Sequence, residues 1–360
     1  MTVGIDGGAL SISDDRLKVG VYRVAYNLIK EIGALNAENN YRVYTFHGVG
    51  HGNLPKKSKN VSYVPLLTPG FRKIWQPIEM MQHKIDAYLG VSQAFPLTLY
   101  DVKKIGFVYD IGFLEHPEYY RESYFALSAQ TQDIVNRADH IITISKASRD
   151  SIHKTYHVPL EKMTVAYLGI ESQFKARGTK HKLAHPYFLF VGALKPGKNV
   201  PMMLRSFAQF LNQTNKPYDL VLAGSDYWLD PGISATINSL SLQKRVHRVG
   251  FVEDETLASY YRGATALLTV SLIEGFGLPS VEAMACGCPV IASTAGSFPE
   301  VVGSNGIMVD PEDETALTHA MIDIASDKRL RAAMIEKGLA AAKKYDWGTF
   351  AKTVYSTLTP

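Results

Sequence analysis

Cysteine is almost missing from this sequence, with two in 360 residues. That excludes a disulfide scaffold and points to a reducing compartment. Long hydrophobic runs are missing too. None approaches the ~20 residues that cross a bilayer, and Met1-Thr2-Val3-Gly4-Ile5-Asp6 has neither the basic nor the apolar region of a signal peptide. A cytoplasmic address is the expectation, with contact at the inner face of the cell membrane left open. Charge of one sign is scarce: 38 Lys and Arg against 34 Asp and Glu leave a net +4. A nucleic-acid partner needs a stronger and more clustered excess, so none is expected. No G-x-G-x-x-G dinucleotide fingerprint occurs, which counts against an NAD enzyme. Cys286 and Cys288 form C-x-C with no second pair or nearby His cluster, so no metal site is expected. Repeats of ~20–50 residues and low-complexity tracts are also lacking.

What is present reads as globular: 46% hydrophobic and 20% charged residues. At ~100–200 residues per domain the length fits two domains, each able to bury a core. Short apolar runs alternate with longer helical patterns. One series comprises Arg42–Phe46, Val61–Leu66, Ala87–Val91, Ile105–Tyr109, His140–Ile144 and Thr164–Leu168. A second comprises Tyr187–Gly192, Leu220–Gly224, His247–Val252, Ala266–Val270, Pro289–Ala292 and Gly306–Val309. Amphipathic stretches such as Val200–Leu211, Glu255–Gly263 and Glu314–Ile324 lie between runs. The alternation predicts α/β architecture with doubly wound parallel sheets. The polar segment Ile170–Pro186 separates the series and reads as a linker. So many strands in one open sheet would be unusual, which favours two domains. From Asp327 to Leu358 the pattern is helical throughout, and Trp347, Phe350, Val354 and Leu358 give one apolar face.

The stretch richest in chemistry is Ser271-Leu272-Ile273-Glu274-Gly275-Phe276-Gly277-Leu278-Pro279-Ser280-Val281-Glu282. A strand feeds a glycine-bearing loop, and Pro279 opens a helix. Gly275 and Gly277 permit close approach of a ligand to the backbone, and the free N–H groups of a helix start favour an anion. Two carboxylates flank the loop, which suits a ligand that carries hydroxyls as well as phosphates. The alternative is that Glu282 caps or pairs on a helix surface.

Glu274 and Glu282, spaced E-x₇-E within EGFGLPSVE and followed by AMACGCPVIA and GSFPEVV, closely resemble the donor-site signature of retaining glycosyltransferases of family GT4. The similarity extends over most of the chain and is strongest from Tyr187 to Asp310. It implies the GT-B fold: two Rossmann-like domains facing across a cleft, with a C-terminal helix crossing back to the N-terminal domain. The implied division is 1–172 for an acceptor-binding domain, 173–345 for a nucleotide-sugar-binding domain and 346–360 for the returning helix. Carried over by position, Glu282 would bind the ribose, Glu274 the transferred sugar, and the amides of Phe276, Gly277 and Leu278 the sugar and diphosphate. Phe251 and Val252 match the edge that meets the nucleobase. In Phe190-Val191-Gly192-Ala193-Leu194-Lys195-Pro196-Gly197-Lys198-Asn199, Lys198 matches the lysine that neutralises the diphosphate. The usual arginine is replaced here, at Ala193 and Gly197, leaving Lys195 as a substitute without a bidentate fork.

In the first half, Gly20 within Val19-Gly20-Val21-Tyr22-Arg23 matches the family glycine that approaches the donor phosphates. Tyr109-Asp110 stands where the family has His-Asp, at a carboxyl strand edge where α/β sheets bind ligands. Tyr109 does not titrate near neutral pH, so Asp110, Lys198 and Glu274 are the candidate catalytic residues. Ser145 either caps the following helix or contacts ligand, and His116 reads as structural or acceptor-side. Lys56, Lys57, Lys59, Arg72-Lys73 and Lys103-Lys104 read as solvated faces, or as contacts to anionic headgroups at about 1 kcal/mol each. Trp75, near Phe71 and Ile74, suits either that interface or a core.

The resemblance implies transfer of a hexose, with retention, from a nucleotide diphosphate sugar to a saccharide or lipid-linked saccharide, without a metal. GDP-mannose is the leading donor, because the chain looks most like mannosyltransferases of bacterial polysaccharide assembly; UDP-sugars are the alternative. Rival readings are an epimerase or hydrolase on the same fold, a non-catalytic nucleotide-sugar binder, and an oxidoreductase.

Overall fold

The structure is a computed structural model that describes residues 1–358 apart from 13, 15–17, 19, 36–37, 51–53, 57, 121–122 and 226–229. Val19 and Lys57, singled out above, lie outside the described residues. The chain divides into two compact units, Met1–Gly169 with Asp346–Pro360, and Ile170–Tyr345.

In the first unit the strands are β1 (Thr2–Asp6), β2 (Asn40–Phe46), β3 (Val61–Leu66), β4 (Ala87–Gly90), β5 (Lys103–Phe107), β6 (His140–Thr143) and β7 (Met163–Val165). They form one sheet in the order β3-β2-β1-β4-β5-β6-β7, with every pairing parallel. The second unit has β8 (Tyr187–Val191), β9 (Asp219–Ala223), β10 (Val246–Gly250), β11 (Leu267–Thr269), β12 (Val290–Ser293) and β13 (Ile307–Val309). Their order, β10-β9-β8-β11-β12-β13, is also all parallel. Both sheets reverse direction of growth beside their first strand, which defines the doubly wound α/β topology and opens a crevice at the carboxyl ends there. Parallel strands are covered on both faces, so Phe188, Leu189, Leu220, Val221 and Leu222 are all fully buried.

Strand β1 was absent from the apolar runs. Its sequence is TVGID, and Gly4 breaks the hydrophobic signal. A Cβ there would lie 2.6 Å from Ile85 Cδ1 and 3.0 Å from the Tyr44 and Tyr88 rings. Large neighbours fill the space that a side chain of β1 would otherwise occupy.

One further reading is corrected. The segment Ile170–Pro186 belongs to the second unit and is fastened to helix Asp254–Gly263. Arg262 donates to the carbonyls of Thr179 (2.7 Å) and Lys175 (3.1 Å), the His181 N–H donates to Ser259 O (2.9 Å), and the His181 ring stacks on Tyr260 at 3.9 Å. Its backbone is held by these bonds, while the side chains of Lys175, Arg177 and Lys180 are exposed. The tail is two helices, Lys328–Ala342 and Trp347–Ser356. Asp346 takes an extended conformation between them and accepts from Thr349 N at 2.8 Å, the N-cap of the second helix.

The final helix packs on helix Val21–Leu35 within the first unit. Phe350 is fully buried between the rings of Trp347 (5.4 Å) and Phe107 (6.5 Å), and Lys103 Nζ donates to Leu358 O at 3.3 Å. Phe350→Ala is expected to cost about 3–5 kcal/mol through lost burial and a residual cavity. Urea denaturation followed by circular dichroism reads this; a loss below about 1 kcal/mol would contradict the packing.

Candidate functional site

Strands β8 and β11 are neighbours at the reversal point of the second sheet, so the loops that leave their carboxyl ends meet. After β8 the chain makes a single 3-10 turn, Pro196–Lys198, closed by Lys198 N donating to Lys195 O at 3.0 Å. Asn199 follows in the left-handed region, with φ +58°. Its side-chain amide donates to Val270 O (3.2 Å) just past β11 and to Pro311 O (2.7 Å) beyond β13. Leu272 N adds a 2.9 Å bond to Gly197 O. These ties register the two loops against each other.

The result is an ion pair: Lys198 Nζ lies 2.6 Å from Glu274 Oε2, with the two side chains 18% and 16% exposed. The structure therefore brings together two of the three candidate catalytic residues. Ser271 Oγ stands 3.5 Å from the same carboxylate oxygen. Behind Glu274 the backbone is buttressed by Gly296, whose φ is +57° and whose Cβ, were there one, would lie 2.4 Å from Glu274 O. Ser297 N donates to that carbonyl at 3.0 Å.

The same loop runs through Gly275, Phe276 and Gly277, all buried, into helix Leu278–Ala285. Gly277 takes φ +83° at the N-cap, with the Phe298 ring 2.8 Å from where a Cβ would be, so no larger residue fits. The Phe276 ring packs edge-on against Tyr345, with ring centroids 5.5 Å apart. Glu282 is 3% exposed and accepts a 2.9 Å hydrogen bond from the Tyr261 hydroxyl. The surface-pairing alternative for Glu282 is thereby excluded, because a buried carboxylate persists only with partners. Lys195 lies on the same turn as Lys198, while Phe251 and Val252 are half-buried immediately after β10.

Gly20, Tyr109 and Asp110 belong to the first unit. Gly20 is exposed, with φ +52° and open space around it, one residue before helix Val21–Leu35. Tyr109 is buried and its hydroxyl donates to Val91 O at 2.7 Å, so its one proton is committed to the backbone. Burial above all, and the Asp6 carboxylate, hold the phenol well above its ordinary range. Asp110 is half-exposed and accepts from Gly112 N at 3.0 Å. Ser145 proves to be a helix cap, its Oγ accepting from Ser148 N at 3.0 Å. His116 Nδ1 lies 3.0 Å from Glu118 and its ring stacks on Tyr119.

Three residues escaped sequence reasoning. Asn199 and Tyr261 are described above. Asp6 is fully buried at the carboxyl end of β1, accepting from Gly8 N (2.9 Å) and pairing with Arg72 Nη2 (2.9 Å). Arg72, read as part of a solvated basic face, is corrected accordingly: its guanidinium serves a buried carboxylate. Cys286 and Cys288 are free and buried, and burial pushes both thiols up to about 12. Among the described residues no group of three His, Cys, Asp or Glu is placed to hold a metal ion, and no helix is long and apolar enough to cross a membrane.

Residues 171–340 match the family described as Glycosyl transferases group 1. The chain is 28% identical over 296 residues to the O-antigen chain mannosyltransferase B of Escherichia coli, covering 79% of this chain and 77% of that protein. It is 35% identical over 195 residues to the O-antigen chain mannosyltransferase RfbU of Salmonella typhimurium, covering 53% of this chain and about half, 52%, of that relative. Among solved structures, sucrose-phosphate synthase from Thermosynechococcus elongatus superposes with a TM-score of 0.79 at 17% identity, over 99% of this chain and 98% of that one. With two doubly wound α/β units, this is the GT-B fold.

Tyr261→Phe removes the hydroxyl that serves the buried Glu282 and is expected to destabilise the protein by about 1–3 kcal/mol, measured by urea denaturation. The thiols of Cys286 and Cys288 should react with a disulfide reagent at pH 8 only after unfolding in guanidinium, since thiolate is scarce and access is closed in the native state. Rapid labelling of native protein would contradict their burial.

Proposed function

We propose that this chain, a glycosyltransferase whose residues 171–340 belong to the group 1 family, moves mannose from GDP-mannose, with retention, to a hydroxyl of a saccharide or lipid-linked saccharide. The mannosyl preference draws on the O-antigen mannosyltransferases that the chain resembles. The observation that carries the chemical reading is the Lys198–Glu274 pair, 2.6 Å apart beside the start of helix Leu278–Ala285. A cation, a carboxylate and a helix N-terminus in one place suit a ligand that joins phosphate to sugar hydroxyls.

In this reading Glu282 accepts hydrogen bonds from the ribose, Glu274 accepts from a hydroxyl of the sugar, and Phe251 and Val252 offer backbone to the base. The amides of Gly275, Phe276, Gly277 and Leu278 meet the sugar and diphosphate. As the bond from the anomeric carbon to the diphosphate oxygen breaks, negative charge grows on the leaving group, and Lys198, with Lys195, stabilises it. The acceptor oxygen bonds to the same face of the anomeric carbon, and its proton passes to the departing phosphate. A double displacement would need a carboxylate nucleophile; this reading assigns none and requires no metal. Asp110 is the candidate of the first unit for orienting reactants, whereas Tyr109 would act only through its ring or as an acceptor.

A thermal-shift panel tests the donor: GDP-mannose should raise Tm by mass action, while NAD should not. A selective response to a UDP-sugar would replace the mannose reading. Lys198→Ala should lower kcat roughly 10²–10³-fold, the scale of losing one charge-stabilising group, and Glu282→Ala should weaken donor binding. Unchanged turnover in the first variant, or unchanged affinity in the second, would remove that residue's role.

A further inference from the structure

In the first unit the crossover from β4 to β5, Val91–Val102, contains no helix. Parallel strands are usually joined by one packed on the sheet, so the space beside helix Tyr124–Arg137 is only partly filled. One ring covers the sheet there. Gly90 and Gly106 stand side by side on β4 and β5, and Phe95 lies over both. A Cβ on Gly90 would come within 2.9 Å of its ring, and one on Gly106 within 3.1 Å. Arg137 closes over Phe95, its guanidinium carbon 5.5 Å from the ring centroid. It donates to both oxygens of Asp133 (2.8 and 3.1 Å) and to Pro96 O.

What stays open is a groove of about 640 Å³. One wall is the turn after Gly70, with Arg72 and Lys73, tied to the crossover by Leu97 N donating to Arg72 O at 3.1 Å. Another is one face of the helix, where Ala129, Gln130, Asp133 and Arg137 recur at the spacing of successive turns. The crossover itself supplies Gln93, Ala94 and Phe95. Gln93 stands at φ +53°, a backbone that glycine adopts at less cost. The side chain, rather than the turn, therefore accounts for the residue. With its walls bonded to one another, the groove is formed before any ligand arrives.

Its charges nearly cancel. Arg72 pairs with Asp6 at 2.9 Å and Arg137 with Asp133, so Lys73 adds the net positive charge. A phosphate or a polyanion would find little to attract it. Gln93 and Gln130 each bring a donor and an acceptor, and Asp133 brings acceptors. Ala94, Leu97 and Ala129 put apolar surface between them. Hydroxyls alternating with C–H faces are the surface of an uncharged sugar, and a cleft of this size accommodates about two sugar rings.

The groove begins beside the candidate residues of this unit. Tyr109, the neighbour of Asp110, donates to Val91 O at 2.7 Å, where the crossover starts. Helix Tyr124–Arg137 joins β5 to the parallel β6 and so runs back along the sheet from that edge. We propose that the groove binds uncharged sugars of the acceptor that lie behind its reacting hydroxyl, and so selects an oligosaccharide over a monosaccharide. The inference rests on the proposed function for what the saccharide is used for, but saccharide binding itself needs no transfer.

The test is calorimetric titration of the full chain, without donor, using mannose, glucose, α-mannotetraose, maltotetraose and a tetramer of galacturonate. At least one neutral tetrasaccharide should bind roughly tenfold or more tighter than its monosaccharide, and tighter than the galacturonate. Ala129→Trp, which fills the groove from an exposed helix position, should abolish that gain. Gln130→Ala should weaken tetrasaccharide binding about fivefold, the scale of one hydrogen bond. Gln132→Ala, exposed on the same helix outside the groove, should bind as the parent does. In transfer assays Ala129→Trp should raise KM for a tetrasaccharide acceptor far more than it lowers kcat. No gain with length for either neutral tetrasaccharide, a preference for galacturonate, or full binding by Ala129→Trp overturns the inference. Binding without transfer to any acceptor would sink the proposed function and leave the groove standing. Transfer indifferent to acceptor length and to Ala129→Trp would do the reverse.

Discussion

The ion pair between Lys198 and Glu274 joins residues 76 apart in sequence at 2.6 Å. It exists because the second sheet reverses its order beside β8. Strands β8 and β11 are adjacent, yet two strands and their helices intervene along the chain. Two loops with no local reason to meet are thus delivered to one point. Partial removal of both charges from water opposes the pairing, and good geometry with further bonds is needed to offset it. Asn199 and the Leu272–Gly197 backbone bond supply that geometry by fixing where each loop stands before its side chain is considered. The glycines at 277 and 296 serve the same end, letting Phe298 and the Glu274 backbone close in from behind.

The carboxylates of the molecule separate into two kinds. Glu274 and Asp110 are partly exposed at carboxyl strand edges, where a ligand can reach them. Glu282 and Asp6 are buried, each with a specific donor from another element: Tyr261 for one, Arg72 for the other. Buried carboxylates of this type fix positions, because breaking either pairing leaves a buried oxygen without its donor. In the proposed reading Glu282 has both properties. Tyr261 holds one oxygen, and a ribose would find a carboxylate already oriented.

Much of this was legible in the chain, and the physical reasons for the rest are specific. Parallel strands are continuous apolar runs, so Val61–Leu66 appears in sequence as it does in the fold. The run expected at Ile105–Tyr109 begins instead at Lys103, since lysine stems pack along a sheet while their ammonium groups reach out. Strand β1 was hidden by Gly4. The E-x₇-E loop could be read because turn glycines, Pro279 and two carboxylates are all local signals. Asn199 and Tyr261 could not, because what matters in each is a partner more than 20 residues away. Arg72 was misread for the same reason: a basic dipeptide looks solvated until the carboxylate opposite it is known.

Burial thus departs from side-chain polarity in opposite senses at different places. Asp6 and Glu282 lie inside although they are charged, and each has a hydrogen-bond donor that makes its burial tolerable. Ile74, Ile78 and Met81 lie outside although they are apolar, while Gln76 and Glu79 on the same segment are buried and bonded to Tyr88 and Arg42. The inward polar contacts determine which way the segment turns. Once Gln76 and Glu79 are bonded inside, helical spacing leaves Ile78 and Met81 no alternative but to face outward. The exposed face is therefore not a failure of packing at a loose edge but the other side of a segment whose buried polar side chains are bonded to Tyr88 and Arg42.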